Sequence, residues 1–476
     1  MLSTCVRIPA ALAGGSSRAC MATAAGNKTA TASGKATTAG NKKTTNKAGQ
    51  PNIVFVDGVR TPFVLSGTVY KDLMPHDLQK TALLGLLRRT NVPINEVGHI
   101  VCGTVIQECK TSNVAREAAL SAGFPDTIPA HTVTLACISS NVAITDCMGM
   151  LSSGYCDVAI AGGVEFLSDV PIRYNRSARR SMIEVNKAKS MGKKLGLGWN
   201  IIKNLLNPEL PAVAEFSSGE TMGTSGDRLA AAFKVSRREQ DEFALRSHML
   251  ASKAQKEGLL TDIVPQFVPG KKEGNAVTVD NGVRVSTIEK LSQLKPAFIR
   301  PHGTVTAGNA SFLTDGASAC MLMTEEYALK HGYKPKAYLR DYQYVAQDPK
   351  DQLLLGPAYV IPKLLEKAGL SLKDIDVFEI HEAFAGQVLA NLKALDSDFF
   401  CKTYMKRSGK VGEIPMDKVN KWGGSVSLGH PFGATGVRLV SHAANRLIKE
   451  GGQYAVLAAC AAGGHGHGMI VEKYPN

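Results

Sequence analysis

The chain has 476 residues, 44% of them hydrophobic and 20% charged, values that exclude a disordered chain or a repeat fibre. The length exceeds one ordinary core and predicts two or three domains, and no uncharged apolar run reaches the roughly eighteen residues of a membrane span. A net charge of +14 would point to nucleic acid if it covered the surface, but two short segments carry it.

The first is residues 1–50, which hold Arg7, Arg18, Lys28, Lys35, Lys42, Lys43 and Lys47 and no acid; the first acid of the chain is Asp57. A basic leader rich in Ser, Thr and Ala, without a continuous apolar core, reads as a mitochondrial transit peptide and spacer. The second is residues 173–206, where Arg173, Arg176, Arg179, Arg180, Lys187, Lys189, Lys193, Lys194 and Lys203 face only Glu184. The remainder is nearly neutral, so no nucleic-acid partner is expected. Ten cysteines occur without a C-x-x-C pair, which predicts free thiols, most of them buried and inert.

From Asn52 onward, apolar runs alternate with helical stretches. Residues 53–56 read as a strand and 76–87 as an amphipathic helix introduced by Pro75. A strand at 100–105 and a short helix at 114–122 follow. Residues 132–135 form a strand leading into Ala136-Cys137, and 138–152 a buried helix with Asp146 its only charge. A strand at 157–164 is closed by Gly162-Gly163. This is an α/β pattern. Residues 171–302 are basic, Pro-punctuated and less regular, with a charged helix at 236–258 and a polar loop at 270–281; they read as an insertion over a site. Residues 303–323 return to small residues and an apolar strand. Near the C-terminus a strand at 375–380 runs into His381-Glu382-Ala383-Phe384 and then a helix. Gly429-His430-Pro431 precedes a helix at 435–449, and a strand at 454–459 ends at Cys460. Both halves present a reactive side chain beside a helix, a Gly turn and an apolar strand, the pattern of an internal duplication.

Four groups can do chemistry. Cys137 precedes a buried helix, whose positive dipole end is expected to lower its pKa, although a lone cysteine there is more often structural. His430, between Gly and Pro at a helix entrance, suits proton removal from a thiol, or is a satisfied structural histidine. Cys460 is followed by Ala-Ala-Gly-Gly, which can turn backbone N–H groups into a pocket. His381 is a fourth polar group at a strand end, where α/β sites gather.

Cys137, His381-Glu-Ala-Phe384, Gly429-His430-Pro431 and Cys460 resemble, in order and spacing, the four catalytic-loop motifs of the thiolase superfamily. The resemblance covers essentially everything after residue 52. Residues 304–311 (TVTAGNAS) resemble its CoA-contacting stretch, and Arg60-Thr-Pro-Phe63 its opening strand and turn. His381 resembles one branch of the superfamily, since most degradative and biosynthetic members have Asn there. The resemblance implies an α/β fold with a duplicated five-layer αβαβα core. Its parts are an N-terminal domain (52–170 plus 303–323), a loop domain (171–302) and a C-terminal domain (324–476).

The implied reaction is cleavage of 3-ketoacyl-CoA by CoA. His430 takes the proton of Cys137, which attacks the keto carbon, while Cys460 protonates the acetyl-CoA enolate and then deprotonates the incoming CoA. His430 with a water on His381 would serve the enolate oxygen, and the N–H groups of Cys137 and Ala462 the tetrahedral oxyanion. Ser311, Ala307, Gly308, Met222 and Phe384 are implied CoA contacts. No metal or redox cofactor is implied; CoA is a substrate. Ala462 replaces a common Gly, with its N–H expected to survive, and Thr221 stands where short-chain relatives often carry His. A homodimer within an α2β2 assembly with an α subunit is implied, on the matrix side of the inner mitochondrial membrane. Residues 181–206 mix Lys with Met, Ile, Leu and Trp199, which fits a helix or hairpin on a cardiolipin surface, a solvated loop, or an α-subunit contact. His465 and His467 read as turn and strand residues, with no metal. A short-chain acetoacetyl-CoA thiolase and a ketoacyl synthase are the rival readings.

Overall fold

A computed structural model describes residues 50–211, 214–269 and 276–475. The basic leader lies outside the described residues except for Gln50, as does part of the polar loop at 270–281. Among the described residues, no helix is long and apolar enough to cross a membrane.

One ten-stranded mixed sheet carries the fold, and its order exposes the duplication. In the first half, Ile53–Arg60 pairs antiparallel with Thr314–Thr324, which pairs antiparallel with Val158–Glu165, which runs parallel to His99–Gly103. In the second, Ala337–Ala346 pairs antiparallel with His465–Lys473, which pairs antiparallel with Tyr454–Ala461, which runs parallel to Val377–Ile380. Ala130–Val133 adds an edge strand to the first half. Within the sheet, among the described residues, the halves pair at Val54 with Tyr338 and Phe55 with Ala337.

Helices Ser139–Ser152 and Thr435–Glu450 lie between the halves. One buried cluster includes Ile144 and Cys147 of the first helix, Val437 and Leu447 of the second, Phe55 and Leu322 of one sheet half, and Leu457 and Met469 of the other. Pro75–Thr90 and Val114–Ser121 cover the outer face of the first half, and Gly356–Ala368 that of the second. The result is five layers, αβαβα. Because both sheet faces are covered, the central strands are buried along their whole length, with mainly apolar residues: all residues of Ile53–Arg60, Val158–Glu165 and Thr314–Thr324 are buried. The middle helices must also be buried nearly all round. Helix Ser139–Ser152 does this with small and apolar residues, whereas Thr435–Glu450 buries Arg446 against Glu379 (2.7 Å) and His442 against Asp262 (3.4 Å).

Most elements start within two residues of their expected positions. Gly162-Gly163 is a correction: the pair lies inside Val158–Glu165 and does not close it. The reason is packing, since a Cβ on Gly163 would collide with the carbonyl of Gly433, from the loop after His430. Two elements had no clear signal. Strand Ala337–Ala346 is half-polar and only partly buried over Arg340–Tyr344, and helix Gly356–Ala368 contains Pro362, which normally argues against a helix interior.

Within the inserted region, Met222–Ala232 and Arg237–Lys256 pack on Ala385–Leu395 of the second half. Arg60 ties the insertion to the first strand: its guanidinium binds Asp280 through two hydrogen bonds (2.6 and 2.9 Å) and Asp262 through a third (2.8 Å), all three residues being buried. The basic segment folds into helices Arg176–Val185 and Met191–Asn204, packed together.

Candidate active site

Cys137 stands in a tight turn between the strand Ala130–Val133 and the helix Ser139–Ser152. Leu135 and Cys137 bridge across Ala136, whose backbone is left-handed at φ +44°, a conformation that costs an alanine on the order of 1–3 kcal/mol. Ser139 holds the turn, its Oγ accepting from the Leu135 N–H (2.8 Å) and donating to the Ala136 carbonyl (2.7 Å).

The expectation that the helix dipole lowers the Cys137 pKa is corrected. Enclosure by protein pushes this thiol up to about 12, against opposing hydrogen bonds from the backbone N–H groups of Ala462 and of Cys137 itself, with the carboxylates of Glu165 and Glu215 adding to the rise. Burial, then the neighbouring Cys137, also raises Cys460. Two consequences follow. Both thiols rest protonated near neutral pH, so either needs a base to become nucleophilic. The sulfurs of residues 137 and 460 are also near enough to influence each other's ionisation, although they come from opposite halves of the duplication.

The two histidines pair with each other. His381 follows the strand Val377–Ile380, and its N–H donates to the carbonyl of Ala458 (2.8 Å), two residues before Cys460. The His430 ring lies 4.1 Å from the His381 ring, centroid to centroid. Gly429, at φ +102°, makes the sharp bend that delivers His430, whose N–H donates to Thr314 Oγ1 (2.9 Å). Nδ1 of His430 contacts Thr435 Oγ1 (2.7 Å) and Nδ1 of His381 contacts Ser425 Oγ (3.1 Å), while Nε2 of each ring is buried without a protein partner. Burial, then Arg438, lowers His381 to about 3; burial, then His381 and Arg438, lowers His430 well below its ordinary value. Both imidazoles are neutral at physiological pH.

Glu165 was not singled out in the sequence. It is fully buried at the end of its strand and accepts the N–H groups of Val105 (3.1 Å), Ile106 (2.8 Å) and Gly433 (2.9 Å), joining the two halves beside Cys137. Burial pushes its carboxyl up to about 7 against these hydrogen bonds. An acid directly after an apolar Gly-Gly strand was the available signal. Glu215, from the insertion, was also missed; its carboxylate accepts the N–H of Gly463 (2.7 Å), just beyond Ala462. Ala462 itself has no left-handed backbone; Gly463 and Gly464 carry positive φ instead.

The implied CoA contacts flank the His381 loop. Ser311 N–H donates to the Ala383 carbonyl (2.9 Å), Ala310 bridges to Phe384, and Gly226 of the helix begun by Met222 packs on the Phe384 ring. Ala307 is exposed and Gly308 half-buried beside Leu291 and Leu294. Thr221 caps the Met222–Ala232 helix, accepting the Thr224 N–H (3.2 Å). His465 and His467 begin the strand His465–Lys473, with His467 buried beside the rings of Tyr342 and Tyr344. The eight described cysteines are all free.

Residues 53–326 match the family described as thiolase, N-terminal domain, and residues 333–473 that described as thiolase, C-terminal domain. The chain is 73% identical over 428 residues to a probable 3-ketoacyl-CoA thiolase of Caenorhabditis elegans, covering 90% of this chain and 95% of the relative. It is 67% identical over 434 residues to the mitochondrial trifunctional enzyme subunit beta of Homo sapiens, covering 91% of each. The crystal structure of the Bacillus anthracis acetyl-CoA acetyltransferase superposes with a TM-score of 0.77 at 34% identity, over 89% of this chain and 99% of that one.

Proposed function

This chain belongs to the thiolase family of acyltransferases, and from that premise we propose that it is a 3-ketoacyl-CoA thiolase of mitochondrial fatty-acid β-oxidation. The observation that carries the mechanism is the meeting of Cys137 with the Cys460–Ala462 segment. His430 takes the Cys137 proton, and the thiolate attacks the keto carbon of the substrate. The tetrahedral oxyanion is held by the N–H groups of Cys137 and Ala462. The Cα–Cβ bond breaks, leaving the shortened acyl group on Cys137 and an enolate of acetyl-CoA, whose oxygen is held by His430 and by a water on His381. Cys460 gives the enolate its proton and is left as a thiolate. That thiolate takes the proton of the incoming CoA, whose sulfur attacks the acyl carbon and displaces the Cys137 thiolate, which recovers its proton from His430. The residues named need no metal or redox cofactor for these steps; CoA enters as substrate, along the face formed by Met222, Ala307, Gly308, Ser311 and Phe384.

The relatives favour the 3-ketoacyl reading over a short-chain acetoacetyl-CoA thiolase, since identity to them is about twice that to the acetyl-CoA acetyltransferase. A cavity of about 610 Å³ between Val105–Gln107 and the base of the basic hairpin, at Pro171, Arg173 and Glu209–Pro211, adds room close to Glu165 for an extended acyl chain. A ketoacyl synthase would not need the second sulfur. Thiolysis rates against acyl chains of increasing length test the assignment: activity confined to acetoacetyl-CoA defeats it.

The same reading assigns residues 1–50 to a transit peptide and the mature enzyme to the matrix side of the inner membrane, as a homodimer inside an α2β2 assembly with a trifunctional α subunit. Met191, Leu195, Trp199 and Ile202 form an exposed apolar stripe on Met191–Asn204, beside Lys187, Lys189, Lys193 and Lys194. That combination supports contact with an anionic, cardiolipin-containing surface.

A further inference from the structure

The two imidazoles of the site have the same elements around them, a hydroxyl on Nδ1 and an unpartnered Nε2, but the hydroxyls are held differently. Thr435 Oγ1 has two partners, the Pro431 carbonyl (3.0 Å) and His430 Nδ1 (2.7 Å). A carbonyl can only accept, so the threonine proton goes to Pro431 and the oxygen accepts from His430 Nδ1–H. The proton of neutral His430 is therefore on Nδ1, and Nε2 offers a lone pair.

Ser425 Oγ also has two partners, but one is a cation. Arg438 Nη2 donates to it (3.0 Å), and the other contact is His381 Nδ1 (3.1 Å). A guanidinium can only donate, so of the two partners His381 Nδ1 alone can accept the serine proton, and that arrangement leaves no donor of the buried hydroxyl unused. The proton of neutral His381 is then on Nε2, which becomes a donor. Arg438 is fully buried and faces Glu379 at 3.7 Å, so a carboxylate lies behind the guanidinium that donates to Ser425. Thr435 and Arg438 are three residues apart on one helix face at the start of Thr435–Glu450, so a single helix governs both rings.

We propose that Arg438 and Ser425 are positioning residues that hold His381 in the Nε2–H tautomer while Thr435 holds His430 in the Nδ1–H tautomer, so that one neutral histidine pair presents one acceptor and one donor to the substrate. The proposal rests on the roles given to both histidines above and deepens them. A base that takes the thiol proton requires a free lone pair, and a group that orders water at an enolate oxygen benefits from a fixed N–H. Two rings of the same tautomer would supply only one of these functions.

The test is a double-mutant cycle between residues 425 and 381. Ser425→Ala removes the hydroxyl and frees the His381 tautomer. His381→Asn supplies an amide N–H that needs no tautomer. Exchange of the α-protons of acetyl-CoA with solvent deuterium reads the enolate step, alongside kcat and KM for thiolysis. Ser425→Ala is expected to slow exchange about tenfold or more, with little change in KM, and to cost less than about twofold in the His381→Asn background. Equal losses in both backgrounds would mean Ser425 acts through packing, and would overturn the proposal. A fully active His381→Ala would overturn the role of His381 itself, and the tautomer argument with it. Neutron diffraction from crystals grown in heavy water gives a direct second readout on the unaltered enzyme. Deuterium is expected on His381 Nε2 and His430 Nδ1, and the reverse placement on either ring refutes the assignment.

Discussion

Glu165 and Gly433 are joined by a hydrogen bond of 2.9 Å across the duplication, from a strand of the first half to the loop that carries His430 in the second. Gly163, two residues earlier on that strand, lies so close to the Gly433 carbonyl that only a residue without a side chain fits. The position of the imidazole relative to Cys137 therefore depends on a carboxylate and a missing Cβ, both supplied by the opposite half.

Gly163→Ala should force the His430 loop away, at a cost of about 1–3 kcal/mol in stability. The fall in kcat should exceed what the remaining folded fraction accounts for. Gly149→Ala is the contrasting change. Gly149 lies within helix Ser139–Ser152 with nothing near its missing Cβ, so alanine should stabilise by about 0.5–1 kcal/mol and leave activity intact. Chemical denaturation with parallel thiolysis assays checks both signs.

The raised Glu165 carboxyl makes stability pH-dependent in a stated direction. Its folded value of about 7 exceeds its ordinary 4.5, so between these values the folded protein holds a proton that the unfolded chain has released. The contribution is fully present below pH 4.5 and is lost as pH rises through 7, a change of about 3 kcal/mol at about 1.4 kcal/mol per pH unit. Glu165→Gln has no such proton to lose. Raising the pH from 5 to 8 should therefore lower the wild-type Tm relative to the variant, and a constant difference would rule the shift out.

Cys460→Ala removes the proton donor of the enolate step while leaving Cys137 and its oxyanion donors in place. Thiolysis and α-proton exchange should both fall by about 10² to 10⁴-fold. Stoichiometric acylation of Cys137 by acyl-CoA should persist, as mass spectrometry of the intact protein would detect. Retained exchange would assign the second sulfur no part in the chemistry.

Replacing Lys187, Lys189, Lys193 and Lys194 by glutamine should weaken sedimentation with cardiolipin vesicles, each lysine near the surface contributing about 1 kcal/mol. Thiolysis of soluble substrate should be unchanged. Vesicle binding that survives all four changes would remove the lipid-contact assignment.

Much of this architecture was legible in the chain. Strands at 158–165 and 454–461 read as apolar runs because each is covered on both faces, and the helix at 139–152 read as buried because it carries one charge. Cys137 and His381 were visible as reactive side chains just past a strand, and His430 and Cys460 by their Gly- and Pro-marked motifs. Strand Ala337–Ala346 was not legible, because it is half exposed and alternates poorly. Helix Gly356–Ala368 was hidden by Pro362, which tertiary packing tolerates.

The sequence by itself determined the duplicated α/β pattern, the four reactive residues and where the positive charge lies, since these follow from local composition and period. Only the tertiary structure decided that Cys137 rests as a thiol instead of a thiolate, that Glu165 and Gly433 join the halves, and that Thr435 and Arg438 give two histidines opposite hydrogen-bonding roles. Those properties depend on burial and on which donor meets which acceptor across hundreds of residues, and local sequence carries no record of either.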